Sequence, residues 1–199
     1  MKLNTKPRMD VVKRENKEAK LKTFIANHLS ATVASTSCEP WLLIARSVES
    51  PVVLALAAME PELQAAGIKV LALLTQMSPA VADSAAPSDL KIPGEFRIIS
   101  DVRLLDAHEQ LRLDATTSWI GDCMRREPAK RDAYECHAAD CTETADWSRK
   151  AFDRMWAKGK SVILTAAPAV VEPVTDAASS EFPPPAADAV TTIVALTRH

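Results

Sequence analysis

The chain has 199 residues, a formal net charge of −2, 47% hydrophobic and 25% charged residues, the balance of a folded globular protein. A chain of this length buries a core without disulfide staples. Four glycines against 33 alanines and 13 prolines leave too few glycines for a Walker loop or a dinucleotide fingerprint, and near-neutrality removes the simplest argument for nucleic acid as partner.

The charge is uneven. Residues 1–29 sum to +5, residues 30–164 to −4 and residues 165–199 to −3, which predicts a basic N-terminal helix or arm, a central domain and a flexible acidic tail. Lys13 to Lys22 consists of good helix formers with a thin apolar stripe at Val12, Leu21, Phe24, Ile25 and Leu29. Such a helix either docks by Phe24 and Leu29 or offers its charge to a protein or nucleic-acid partner.

In the central region Trp41–Ala45 reads as a buried strand. Pro51 opens a helix in the favoured first-turn position, Pro61 kinks it and Gly67 ends it. Ile68–Leu74 is the next strand, completing a strand–helix–strand unit that needs a parallel crossover. Residues 77–87, rich in Pro, Ser and Ala, read as a loop. Phe96–Ile99 and Gln110–Leu113 are two further strands. Asp140 to Glu143 has capping-box spacing, with Asp140 or Thr142 as the capping oxygen; the helix it opens buries Trp147, Ala151, Phe152, Met155 and Trp156 and stops at Gly159. Ser161–Leu164 is the last strand. The pattern predicts an α/β domain with a mixed sheet flanked by helices.

The longest apolar run, Val52–Met59, is far too short for the ~20 residues a membrane span needs, and the first thirty residues contain no apolar signal segment. We therefore expect a cytoplasmic protein without a membrane span. The tail, with Pro168, Pro173 and Pro183–Pro185, has the composition of a linker; Ala189–Leu196 within it is β-prone.

Few groups are able to carry chemistry. Cys123, Cys136, His137 and Cys141 lack any Cys-x-x-Cys pair or a recognisable zinc spacing, so no metal and no cofactor is expected, and free thiols are the reading. Cys123 beside Arg125 and Arg126 is a weak candidate nucleophile. His108, between Asp106 and Glu109 at the start of an alternating strand, is the stronger one.

The run from Asp106 to Met124 resembles the active-site strand and turn of the phospholipase D superfamily, whose motif is His-x-Lys, four residues, Asp, six residues, Gly-Ser-x-Asn. The flanks are similar too: Ala65-Ala66-Gly67-Ile68-Lys69-Val70 upstream, Asp132-Ala133-Tyr134-Glu135 downstream, and Phe152 to Trp156 in the closing helix. The resemblance spans about residues 39–164 and implies half of a phospholipase D-like site. In that family the His attacks a phosphodiester, the Lys holds the phosphate oxygens, and single-motif members dimerise to pool two half-sites.

His108 falls on the His position. Gln110 takes the place of the Lys, Asp114 stands one residue before the Asp position, and Gly121-Asp122-Cys123-Met124 replaces Gly-Ser-x-Asn. Losing the Lys removes a cation where charge accumulates, and Asp122 is expected to bring a carboxylate near the phosphate. Arg125 and Arg126 are candidate phosphate-binding residues, unless their run is a solvated loop balanced by Glu127, Asp132 and Glu135. The resemblance thus implies a homodimeric phospholipase D-like protein with a degenerate site, His108, Gln110 and Asp114 marking the motif, serving in binding or as a scaffold. The alternative is a working phosphodiesterase or nuclease acting through a His108 phosphohistidine.

Overall fold

The computed structural model describes residues 7, 9–32, 39–75, 91–101, 103, 107–127 and 130–162. The chain divides into two units, 1–167 and 168–199, and every described residue falls in the first. The 77–87 segment, Asp106 and the tail lie outside the described residues.

Eight strands form one mixed sheet in the order β1-β7-β6-β5-β2-β3-β4-β8. At its centre β2 (Trp41–Ala45), β3 (Val70–Leu74) and β4 (Gly94–Ile98) run parallel. On one side β5 (His108–Arg112), β6 (Ser118–Cys123), β7 (Ala133–Ala138) and β1 (Met9–Val12) continue it antiparallel; on the other β8 (Lys160–Val162) closes it antiparallel to β4. The expected α/β mixed sheet is present.

Apolar residues on alternate sides of the strands build two layers. Leu43, Ala45, Ala72, Leu111 and Trp119 face α1 (Lys17–Thr32), α2 (Pro51–Ala58) and α3 (Glu60–Ala65), burying Leu21, Ile25, Val52, Leu56 and Leu63. Leu42, Ile44, Leu73 and Met124 face α4 (Thr142–Trp156), with Phe152 and Met155 against them. Trp156 stacks on Phe152, and the Arg97 guanidinium lies 4.2 Å from its ring centroid. Trp147, expected in this core, is exposed.

Pro51 opens α2 and Gly67, at φ +66°, follows α3 as expected. Pro61 goes with a full break, since α2 ends at Ala58 and α3 starts at Glu60. The capping box is not formed: Cys141 is the cap residue of α4, no side chain caps the helix, and Thr142 is already its first helical residue. Asp140 instead takes a left-handed φ of 56° in the preceding turn. Of the basic N-terminal segment, residues 9–12 are the edge strand β1, and α1 packs by Leu21, Ile25 and Leu29. Among the described residues no helix is long and apolar enough to cross a membrane.

Candidate functional site

β5 carries the motif and separates its ends. His108 is its first residue and is exposed. Its Nδ1 lies 2.9 Å from the Gly121 carbonyl oxygen on β6. A carbonyl only accepts, so Nδ1 carries a proton, and in the neutral imidazole the lone pair is on Nε2.

The β5–β6 ladder shifts register between His108↔Cys123 and Gln110↔Ile120, so Gly121 and Asp122 together oppose Glu109. This is a β-bulge, a device that re-aims side chains next to sites. Glycine is required at position 121, where a Cβ would stand 2.5 Å from the Trp119 ring. The bulge directs Asp122 toward the α1 side. There its carboxylate accepts the Cys123 N–H (2.8 Å), pairs with Arg126 (3.3 Å) and acts electrostatically on Lys17 and Glu135.

Gln110 sits two residues on from His108, on the α4 side, paired with Ile44 and Ile120 and only 7% exposed. A buried neutral amide thus stands where the resembled motif has an ammonium.

Asp114 lies beyond the far end of β5, ~20 Å from His108 at strand rise. It accepts the Thr116 and Thr117 N–H groups, both at 2.6 Å, and the Thr116 hydroxyl at 3.1 Å. Burial pulls its carboxyl upward, but these backbone bonds, with His28 at 3.9 Å, outweigh burial and hold it below the usual carboxylate range. Asp114 organises a turn, at the mouth of a cavity of about 650 Å³ that Phe24, His28, Trp41 and Leu113 also line. The structure does not bring it to His108.

Arg125 and Arg126 follow β6 at the His108 end, both exposed, with Arg126 engaged by Asp122. Glu135, expected to balance this loop, is instead buried against α1. Cys136 and Cys141 pack with Ala138 in a small buried cluster; burial, then Cys141, pushes the Cys136 thiol up. Among the described residues no group of three or more His, Cys, Asp or Glu is placed to hold a metal ion.

Sequence reasoning missed the ionic groups beneath the site. Lys17, Glu109 and Glu135 are 2, 1 and 2% exposed, between α1 and the bulge. Glu109 accepts the Arg46 N–H at 3.0 Å and is further held by Ser50 and Lys17; Glu135 accepts the Trp119 indole N–H at 3.0 Å. Burial raises both carboxyls above the usual range, with these partners opposing. Burial likewise lowers Lys17, against the pull of Glu135, Asp122 and Glu109. The only local signal was one Glu inside an alternating strand, which does not announce burial.

His108 opens β5, Arg46 follows β2, and Arg125 and Arg126 follow β6, all at one end of the sheet. It is the edge where the parallel strands β2, β3 and β4 end, the side on which open α/β sheets take their ligands. The fold recurs in solved structures. Nuc from Salmonella typhimurium, a phospholipase D family member, superposes with a TM-score of 0.53 at 12% identity, over 79% of this chain and 99% of that one. The fold is phospholipase D-like. NucT from Helicobacter pylori matches with a TM-score of 0.52 at 12% identity, over the same shares. No protein-family model and no curated protein sequence matches the chain.

Proposed function

We propose that this phospholipase D-like chain is a homodimeric binding or scaffold protein whose His108 site has lost catalytic competence. The observation that carries the proposal is Gln110: it is neutral and buried between Ile44 and Ile120, so the motif position itself offers no charge to a phosphoryl oxygen. Removing one such electrostatic donor typically costs ~10²–10³ in rate.

Dimerisation is supported by the surface that continues from His108. Register carries one face of the sheet from Gln110 through Ile120 and Cys136 to Met9, and on to the Val11–Tyr134 pair. Met9 and Val11 are each 57% exposed and Tyr134 is 61% exposed. Two copies pairing through this face cover three large apolar side chains each and bring both His108 residues toward the two-fold axis. Sedimentation equilibrium tests this: we expect a dimer that Tyr134→Arg converts to monomer, whereas a monomeric wild type removes the homodimer from the proposal. Basic residues 1–29 complete it as the surface for a protein or nucleic-acid partner, with an affinity that falls steeply with salt.

One observation favours a second reading, a phosphodiesterase. His108 is exposed and donates from Nδ1 to the Gly121 carbonyl, so in its neutral form Nε2 is the nitrogen that serves as nucleophile. In that reaction Nε2 bonds to phosphorus as the P–O bond to the leaving alcohol breaks, an acid protonates the alkoxide, and water then cleaves the P–N bond to return the imidazole. Rapid-quench intact-mass analysis with a diester distinguishes the two: a phosphoryl adduct lost in His108→Ala establishes the second, and none is expected under the first.

A further inference from the structure

We infer that Arg46 supplies the positive charge for a phosphate ester bound at His108, taking over the part that Gln110 does not play. This rests on reading the His108 edge as the ligand site.

The placement follows from three ladders. Ile44 pairs with Gln110, so the chain two residues on from Ile44 runs beside His108. Ala45 pairs with Leu74, and the Thr75 N–H still bonds to the Ala45 carbonyl (3.1 Å), so the chain bends at Arg46 next to Thr75. The Thr75 hydroxyl lies 3.5 Å from both the Arg46 carbonyl oxygen and the Met124 sulfur, on the α4 side of the sheet. Ile44, Gln110 and His108 share this side of the sheet by alternation, and the Arg46 carbonyl meets the Thr75 hydroxyl there. The Arg46 N–H bonds to Glu109, so Arg46 stands at the His108 end of β5.

The backbone of Arg46 is fixed on both sides. Its N–H donates to buried Glu109, the residue after His108, and its carbonyl accepts from Thr75. One carboxylate thereby ties Arg46 to the strand that presents His108. The side chain is half-buried, and its charge acts on Glu127 in the turn that follows β6, at the His108 end of the sheet. The nearby Asp122 carboxylate is engaged with Arg126. A guanidinium suits this position because it stays charged when half-buried and presents paired donors to phosphate oxygens.

The test is an NMR titration of the His108 imidazole with two probes, inorganic phosphate and bis-p-nitrophenyl phosphate, on the full chain. The first arm reports a monoester-like anion, the second a diester. We expect saturable shifts in the wild type, and about tenfold or greater weakening in Arg46→Gln, as for loss of one charged hydrogen-bonding group. Arg46→Lys retains part of the affinity, and Gln110→Lys restores it in the Arg46→Gln background, because the same charge then arrives from the next strand. Arg46→Met, which keeps the half-buried stem, is the second variant should Arg46→Gln fail to fold. Undiminished affinity in Arg46→Gln or Arg46→Met, with binding lost in His108→Ala, overturns the role of Arg46 while leaving the site in place. An imidazole that neither probe shifts in the wild type overturns both.

Discussion

The two ends of β5 solve different problems. At the Asp114 end the polar groups close on one another: the carboxylate gathers a threonine turn, His28 stands beside it, and Arg112 pairs with Glu39 at 3.3 Å. At the His108 end the closed network lies beneath the surface, in Lys17, Glu109 and Glu135, while His108 and the arginines stand above it. One end commits its polar groups to local structure. The other buries one set of charges and thereby positions a second set at the edge where ligands approach. Proximity in sequence to a motif histidine is thus no guide to function, since Asp114 is six residues from His108 and belongs to the opposite end.

The largest way to break this contrast is to remove the buried support. Glu109→Ala leaves Lys17 with less compensation and frees the Arg46 N–H; we expect a loss of ~3 kcal/mol in urea unfolding, with phosphate affinity falling as well. A loss below about 1 kcal/mol would mean the network is not what holds this end.

Acid is the next probe. Burial first, then Lys20, lowers His137 from 6.5 to about 4, with Asp10 opposing; its Nε2 lies 3.9 Å from Glu135, whose own carboxyl is pushed up and so does not hold the imidazole charged. The unfolded chain therefore takes up a proton that the fold resists. The stability that neutral His137 contributes is present above pH 6.5 and is lost as pH falls from there through about 4. Glu109 and Glu135 act with the opposite sign, so a variant comparison isolates His137. Between pH ~7 and ~4 the wild type should lose up to about 3 kcal/mol more than His137→Gln; parallel profiles would refute the assignment.

Gly121→Ala pushes a methyl into the Trp119 ring and should cost ~1–3 kcal/mol, read as a lower thermal midpoint together with a shifted His108 imidazole resonance, because the Gly121 carbonyl is its partner. A shift in midpoint alone would separate the bulge from the site. Smallest is Asp114→Ala, which removes the acceptor of two backbone N–H groups: we expect ~1 kcal/mol of destabilisation and unchanged phosphate binding at His108. Lost binding would join the two ends again.

Much of the sheet was legible because its central strands are apolar on both faces. Trp41–Ala45 and Ile68–Leu74 announce buried parallel strands by composition, and Pro51 and Gly67 mark the helices between them. The outer strands were harder to read. Met9–Val12 hides in a charged segment, leaves Met9 and Val11 exposed, and exists as a strand only through pairing with residues 133–136. Ser118–Cys123 mixes polar and small residues, and its bulge is a property of two strands together. The site was half legible. His108 stood out because a histidine opening a strand is chemically conspicuous, and the family resemblance named Gln110 as the gap. Arg46 carried no signal, since its place comes from strands distant in sequence, and its bond to Glu109 spans 63 residues. The capping box failed because the cap position falls on Cys141, between Asp140 in a left-handed turn and Thr142 already in the helix.

The central claim, that the His108 edge binds but does not cleave, is tested most directly by the hydrolysis of bis-p-nitrophenyl phosphate by wild type and His108→Ala. We predict equal, background-level turnover by the two proteins. Turnover that exceeds background in the wild type and vanishes in His108→Ala would contradict the account.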